Sequence, residues 1–288
     1  MKTGLVLEGG AMRGMFTAGV LDVLMEHGIV LDGAIGVSAG AVFGCNYKSH
    51  QIGRVIRYNT QYCNDKRYAS FGNLLRTGNL YSEQFCYHTV PEKLDVFDAK
   101  AFAENPWTFC GVHRCAYRRP HLSQVPHRRC RGYPVDAGIR FHAAGGQDRK
   151  DRPLSAAGRR HCRFHPRAVL RVHRLQTQPH CADPAQGLCE KEEQDAARHR
   201  ARYLRYPAFV EAVADRHERY NETLDHIAML EQTGKAFVIR PPIPLEIGSM
   251  ERDPVQLRRV YETGRAVAEI QVDKIAAFVN ESKAAAEE

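Results

Sequence analysis

The first 48 residues alternate twice between a short apolar strand and a helix, and each time a tight turn separates the two. Residues 4–8 predict a buried strand that ends in a glycine turn, and residues 14–27 predict a helix that Gly28 closes. Residues 30–36 predict a second strand, and Ala39 begins a second helix. A strand–turn–helix unit that repeats in this way is typical of a parallel sheet. The sequence therefore predicts the α/β class.

The C-terminal part of the chain continues this alternation of helix and strand. Residues 207–234 carry apolar side chains at helical spacing, residues 236–240 form a short apolar run that Pro241 ends, and residues 253–280 again show helical spacing. We therefore expect a helix, a strand and a helix in that order. Residues 50–105 are expected to be mostly helix and loop.

Residues 111–200 interrupt this pattern with a different composition. They hold 17 Arg and 2 Lys against 8 acidic residues, whereas the rest of the chain has 22 basic and 25 acidic residues. The net charge of +8 is therefore the property of one segment. The same segment holds 9 of the 14 His and 5 of the 9 Cys, and its apolar residues follow neither the helix nor the strand period. We expect residues 110–200 to be disrupted or irregular, with little regular structure.

Two functional explanations of this basic segment have little support. Nucleic-acid binding through arginine would come with interleaved aromatic residues or a recognisable module, and neither is visible, so nucleic acid is the least favoured partner. A metal site would need a C-x-x-C pair or zinc-ligand spacing, which the Cys and His of the segment do not provide. A solvated, disordered insert is the third explanation.

No part of the sequence has the pattern of a membrane span or of an export signal. No run approaches the roughly 18 apolar residues of a spanning helix, and Met1 leads directly into the first strand. The 9 Cys lack regular spacing, which indicates reduced thiols in place of a disulfide framework. The expected location is the cytoplasm.

The clearest chemical signal is a G-x-S-x-G motif between the second strand and the helix that follows it. It reads Gly36-Val37-Ser38-Ala39-Gly40. In this setting a sharp turn lifts the serine hydroxyl out of the sheet, where it can act as a nucleophile. Gly36 and Gly40 are needed because the neighbouring backbone comes close in such a tight turn. The motif predicts Ser38 as a nucleophile.

A second signal is the glycine turn (residues 8–14), which follows the first strand and reads Glu-Gly-Gly-Ala-Met-Arg-Gly. The free N–H groups of such a turn bind anions, and four explanations compete. A phosphate loop would need a Lys after its last Gly, and a dinucleotide fingerprint would need Gly in place of Ala11. An oxyanion hole fits the pairing with Ser38. A plain strand–helix turn is the fourth explanation.

Together the two motifs resemble the patatin-like phospholipase family, in particular its bacterial cytoplasmic branch. Three further stretches share the resemblance: residues 16–22, 46–54 and 206–212. The resemblance implies a three-layer α/β fold related to the α/β-hydrolases, with helices on both faces of the sheet. Residues 1–109 would be the N-terminal half of this domain, and residues 201–288 its C-terminal helix, strand and helix.

The resemblance also implies the activity, which is hydrolysis of lipid acyl esters of the phospholipase A or esterase type by a Ser–Asp dyad. Ser38 would be the nucleophile, with Gly36 and Gly40 shaping its turn. The substrate is expected at a membrane surface, without a membrane span. No metal and no organic cofactor is implied.

The oxyanion hole would be formed by backbone N–H groups of the glycine turn. Its expected members are Gly9, Gly10, Ala11, Arg13 and Gly14, and Arg13 would brace the turn. Ala11 stands where the family often has Gly. We expect this to be a small departure, because Ala keeps its N–H group.

The Asp base of the dyad is missing from the sequence as written. The family carries it in an Asp-Gly-Gly or Asp-Gly-Ala motif on a later strand, expected here near Gly158–Arg160. Asp-Gly occurs only at Asp32-Gly33, on the strand before Ser38, where the family has no base.

A shifted reading frame would explain both the foreign composition and the missing base. Codons compatible with residues 156–166 can be read one base later as L-L-D-G-G-I-A-D-S-I-P, which places Asp-Gly-Gly at Gly158, Arg159 and Arg160. Three other stretches of the segment become family-like at the same offset. The hypothesis is that residues 110–200 are the family's own gene read in a shifted frame. We then expect very little activity from this chain, and a non-catalytic lipid- or protein-binding remnant is the alternative.

Overall fold

The computed structural model shows a six-stranded sheet accompanied by helices. It describes residues 3–70, 72–73, 81–106, 108–113, 121–124, 168–172 and 216–284. The strands of these residues are β1 (Thr3–Leu7), β2 (Gly33–Val37), β3 (Thr108–His113), β4 (His121–Gln124), β5 (Ala168–Val172) and β6 (Ala236–Ile239).

The helices lie before, between and after these strands. They are α1 (Met15–Glu26), α2 (Ala39–Lys48), α3 (Arg54–Tyr62), α4 (Ala99–Glu104), α5 (Arg216–Gln232) and α6 (Pro254–Ala284). A short 3₁₀ turn at Ala11–Gly14 leads into α1, and a π-helix spans Phe85–Leu94. Among the described residues, no helix combines the length and the apolar character that crossing a bilayer requires.

The strand order places β1 near the middle of the sheet and at its switch point. The order is β4-β3-β2-β1-β5-β6, and β4 pairs antiparallel with β3 while the other neighbours are parallel. β1 and β2 are in register at Leu7 and Gly36, so their carboxyl ends lie side by side. In open α/β sheets the ligand site lies beyond the carboxyl ends of the strands at such a switch point.

The α/β class predicted from the repeated strand–turn–helix unit is confirmed. The predicted helix at residues 14–27 is α1, and the predicted strand at 30–36 begins three residues later as β2. The predicted C-terminal helix, strand and helix correspond to α5, β6 and α6, although residues 207–215 lie outside the described residues. The three-layer arrangement stays a prediction.

The expectation of little regular structure over residues 110–200 stays a prediction, because the structure describes only 13 residues of that segment. Residues 110–113, 121–124 and 168–172 form strands of the sheet. β5 reads Ala-Val-Leu-Arg-Val, a short apolar and β-branched run that suits a parallel strand. An average composition over about 90 residues does not reveal an apolar run of only five residues, such as that of β5. The rest of the segment, including Gly158–Arg160, lies outside the described residues.

Helices α1 and α6 pack together unusually closely, because glycine from each helix meets the backbone of the other. A Cβ atom at Gly19 would overlap the carbonyl oxygen of Tyr261, and one at Gly264 would overlap the carbonyl oxygen of Phe16. Phe16, Leu24, Leu257 and other apolar side chains of the two helices are fully buried around this crossing. The close approach joins the two ends of the chain into one core.

A buried carboxylate lies in the same interface. Asp22 of α1 is 2% exposed, and its Oδ2 accepts hydrogen bonds from the N–H of Gly53 at 2.9 Å and from the hydroxyl of Tyr261 at 2.7 Å. Burial raises the pKa of the Asp22 carboxyl, and the two hydrogen bonds counteract only part of that effect. The folded chain therefore binds the proton of the Asp22 carboxyl group more tightly than the unfolded chain does.

This raised pKa predicts a pH dependence that Asp22→Asn should remove. Above the unfolded pKa, near 3.9, the charged carboxylate costs stability, and the cost grows until the pH passes the folded pKa. Asn keeps an oxygen acceptor and cannot titrate. We expect the free energy of unfolding of the wild type, relative to Asp22→Asn, to fall as the pH rises from about 4 through the raised pKa of the folded state. Urea unfolding of both proteins across this range measures it, and a constant difference would contradict the predicted shift.

Candidate active site

Ser38 lies at the sharp turn between β2 and α2, in a backbone conformation that few residues other than glycine adopt. Its φ is 52° and its ψ is −120°. Its carbonyl oxygen accepts hydrogen bonds from the N–H groups of Ala41 at 2.9 Å and Val42 at 3.1 Å, which begins α2. A non-glycine residue at positive φ is strained and persists only where its surroundings enforce it. The turn predicted for the G-x-S-x-G motif is therefore present.

The glycines of the motif are needed because backbone atoms surround them. A Cβ at Gly36 would lie 2.5 Å from the carbonyl oxygen of Gly40, and one at Gly40 would lie 2.5 Å from that of Leu7. No Cβ atom tolerates such distances from backbone atoms that cannot move. The two positions therefore admit only glycine in this conformation.

The glycine turn lies directly against Ser38. A Cβ at Gly9 would be 2.9 Å from the Cβ of Ser38 and 2.9 Å from the carbonyl oxygen of Val37. Gly14 approaches the ring of Phe43 in α2 in the same way, with a hypothetical Cβ 2.7 Å from Cε2. The structure thus brings together the two motifs that the sequence suggested should pair.

Ala11 is a larger departure from the family pattern than the sequence suggested. Its φ is 48°, within the left-handed region that favours glycine. An L-residue in this region carries a strain on the order of 1–2 kcal/mol, whereas glycine carries none. The expectation of a small departure considered only the N–H group of Ala11 and left out this backbone angle.

The glycine turn is hydrogen-bonded to three residues far away in the sequence. Nε of Arg13 donates to the carbonyl oxygen of Ile247 at 3.2 Å, which fits the predicted bracing role. The N–H of Met12 donates to the carbonyl oxygen of Ser249 at 3.5 Å, and the hydroxyl of Tyr220 donates to Oε1 of Glu8 at 2.8 Å. Sequence reasoning missed these partners, because two of them act through backbone carbonyls and Tyr220 belongs to no motif.

Asp32 is not placed to serve as the missing base. Its Oδ2 accepts the N–H of Thr3 at 2.7 Å, at the amino ends of β1 and β2. Ser38 follows the carboxyl end of β2, and five strand residues span roughly 17 Å. The expected position of the base, Gly158–Arg160, lies outside the described residues.

A pocket of about 720 Å³, partly open to solvent, begins beside the glycine turn and the first residue of α2. Its lining is mostly apolar and aromatic: Ala11, Met12, Ala39, Val42, Phe43, Arg54, Tyr58, Asn59, Tyr68, Tyr81, Cys86, Tyr87 and Val90. Three of these belong to the π-helix, a rare conformation that often occurs at functional sites. The pocket extends from both motifs towards α3 and the π-helix.

The polar groups in the pocket wall bond to one another. The hydroxyl of Tyr68 donates to Oδ1 of Asn59 at 3.0 Å. Arg54, 3% exposed, donates to Oδ1 of Asn46 at 2.8 Å and to the carbonyl oxygen of Asp95 at 2.7 Å, and its Nε lies 3.4 Å from the Asp95 carboxylate. The same carboxylate also pairs with Arg57 at 2.7 Å, so Asp95 is shared by two guanidinium groups. The hydrogen bonds of Arg54 are directed at residues of the wall, and the mostly apolar lining suits an uncharged chain.

This arrangement resembles part of the machinery that acyl transfer by a serine requires, without its base. A serine hydroxyl stands on a strained turn, a turn rich in backbone N–H groups lies against it, and an apolar pocket begins beside both. Among the described residues, no group of three or more His, Cys, Asp or Glu side chains is arranged to hold a metal ion.

Two segments of the chain match family models. Residues 206–280 match a domain of unknown function, DUF6363, and residues 5–121 match the patatin-like phospholipase model. The chain is also similar to the uncharacterized protein YjjU of Escherichia coli strain K12, with 38% identity over 81 residues. That match covers 26% of this chain and 23% of the Escherichia coli protein. Residues 5–121, which contain the glycine turn and Ser38, are thus similar to the patatin-like phospholipase family.

Proposed function

We propose that the lineage activity of this chain is hydrolysis of lipid acyl esters, with Ser38 as the nucleophile. The observation that carries the proposal is the strained positive-φ turn of Ser38 packed against Gly9. The Oγ of Ser38 attacks the ester carbonyl, and the backbone N–H groups of Gly9, Gly10 and Ala11 stabilise the oxyanion. The alcohol leaves, and water then releases the acyl group from Ser38.

The proton balance of this reaction requires a base. The base takes the proton of the Ser38 hydroxyl during attack and returns it to the leaving alcohol. In the family this base is an Asp, and the motif that carries it is missing here, with its expected position near Gly158–Arg160. We therefore propose that the chain as written has the nucleophile and the oxyanion turn without their base.

A short-chain ester assay tests this proposal. We expect turnover by the purified chain to lie near the level of its Ser38→Ala variant, because loss of one member of a nucleophile–base unit costs on the order of 10⁴–10⁶ in rate. Robust hydrolysis that Ser38→Ala abolishes would show that another group acts as the base. Hydrolysis that survives Ser38→Ala would contradict the role of Ser38.

The pocket supports a second activity, the binding of an acyl chain without hydrolysis. Its mostly apolar lining begins at Ala11 and Ala39, which adjoin the turn and Ser38, so a chain esterified at Ser38 would extend into it. We propose that it holds the acyl chain of a lipid met at a membrane surface. This interaction does not need the base, so the chain as written would retain it.

Displacement of a fluorescent fatty acid measures this binding. We expect Val42→Trp to weaken affinity about tenfold, because the indole would displace about two methylene groups of ligand at roughly 0.8 kcal/mol each. Val30→Trp is the matched control, since Val30 is exposed and lies outside the pocket lining. Circular dichroism of both variants checks that they fold. Equal affinities in folded variants would place the acyl chain elsewhere.

A further inference from the structure

The glycine turn has few internal restraints of its own. Its 3₁₀ segment is four residues long and has no side-chain cap, and Ala11 holds a positive φ. Within the turn, the N–H of Arg13 donates to the carbonyl oxygen of Gly10 at 3.1 Å. A strained turn of this kind persists only when neighbouring structure enforces its conformation. The contacts from Tyr220, Ile247 and Ser249 supply such restraint in addition to the packing of the turn against β2 and α2.

All three partners belong to the C-terminal region matched by the domain of unknown function. Tyr220 lies on α5, and Ile247 and Ser249 lie in the C-terminal loop (residues 240–253), which joins β6 to α6. Their contacts in the glycine turn are with Glu8, which is its first residue, and with Met12 and Arg13. The turn is thus held at both ends by a segment more than 200 residues away in sequence.

The C-terminal loop is itself firmly anchored. Nη2 of Arg259 in α6 donates to the carbonyl oxygen of Leu245 at 2.9 Å, and Nη2 of Arg252 donates to that of Ala69 at 2.9 Å. Leu245 is 3% exposed and Ile247 is 5% exposed. Ala69 is the neighbour of Tyr68, a pocket residue. The loop therefore ties the glycine turn both to α6 and to the pocket wall.

We propose that the C-terminal region positions the glycine turn for the Ser38 reaction. Tyr220 and Arg13 are the positioning residues, with the carbonyl groups of Ile247 and Ser249 as fixed acceptors. The segment matched as a domain of unknown function would thus complete the hydrolase site. The role of this restraint in catalysis rests on the proposed function. The restraint of the turn by the C-terminal region does not depend on that function.

Hydrogen–deuterium exchange on the full chain tests the restraint without requiring any turnover. Each lost hydrogen bond is expected to raise the exchange rates of amides 9–14 about two- to twelvefold. We expect this in Tyr220→Phe, which removes only the hydroxyl, and in Arg13→Met. The effects should multiply in the double variant. Arg13→Lys should exchange more slowly than Arg13→Met, because the ammonium group can still donate to the Ile247 carbonyl.

Two control variants separate local restraint from general loosening. Tyr261→Phe removes a hydroxyl from the same C-terminal region, and Arg265→Met removes an arginine that pairs with Glu26 at 2.6 Å, both at the α1–α6 interface away from the turn. Neither should change exchange at residues 9–14 selectively. Unchanged exchange in Tyr220→Phe and Arg13→Met, or equal increases in the controls, would overturn the proposal. Absence of ester hydrolysis would bear only on the proposed function.

Discussion

A gene in which the frame of residues 110–200 is restored is expected to encode an esterase about 10⁴–10⁶ times faster than the chain as written. The restored segment would carry the family's Asp-Gly-Gly at Gly158–Arg160 and so return the base to Ser38. The turn of Ser38 and the glycine turn are already in place, so under the proposed function the base is the missing component. Measuring kcat/KM for a short-chain ester on both proteins gives the ratio.

Two controls show whether the restored base causes the gain. Ser38→Ala in the restored chain should abolish turnover, and Asn in place of the restored Asp should return it close to the level of the chain as written. The coding DNA provides an independent check, because its codons at residues 156–166 either permit the shifted reading or forbid it. Codons that forbid it, or a restored chain no faster than the original, would refute the frame hypothesis.

Gly264→Ala is expected to destabilise the protein by about 3 kcal/mol or more, which is a large share of a typical stability of about 5–15 kcal/mol. The new methyl group would overlap the Phe16 carbonyl, so α1 and α6 would have to separate. Gly19→Ala should act in the same way against the Tyr261 carbonyl. Urea unfolding monitored by circular dichroism measures both losses.

Gly28→Ala is the matched control for these variants. Gly28 has a φ of 63°, and no atom lies within 4 Å of a Cβ placed there. Its replacement by Ala should cost about 1 kcal/mol for the backbone angle alone. A Gly264→Ala protein as stable as Gly28→Ala would mean that the two helices can move apart at little cost.

The parts of the site that could be predicted from the sequence are those fixed by local backbone geometry. A glycine two residues before Ser38 and another two residues after it are local signals of a tight turn, and the structure shows why both are required. The pairing of this turn with residues 8–14 also followed, because consecutive parallel strands bring their carboxyl ends to one edge.

The parts that could not be predicted depend on contacts between distant residues. Every residue has a backbone carbonyl group, so the sequence does not indicate that those of Ile247 and Ser249 accept hydrogen bonds from Arg13 and Met12. The left-handed φ of Ala11 was equally hidden, because alanine rarely adopts it. Strand β5 was missed for another reason, since its five residues lie within a long stretch of foreign composition.

The crossing of α1 and α6 has a consequence for synthesis of the chain on the ribosome. Gly19 emerges about 245 residues before its partner Gly264, which at 5–20 residues per second is a delay of roughly 12–50 s. Throughout that interval the apolar side of α1, with Phe16 and Leu24, has no partner helix to cover it. During that interval the nascent chain exposes an apolar surface that favours association with other chains.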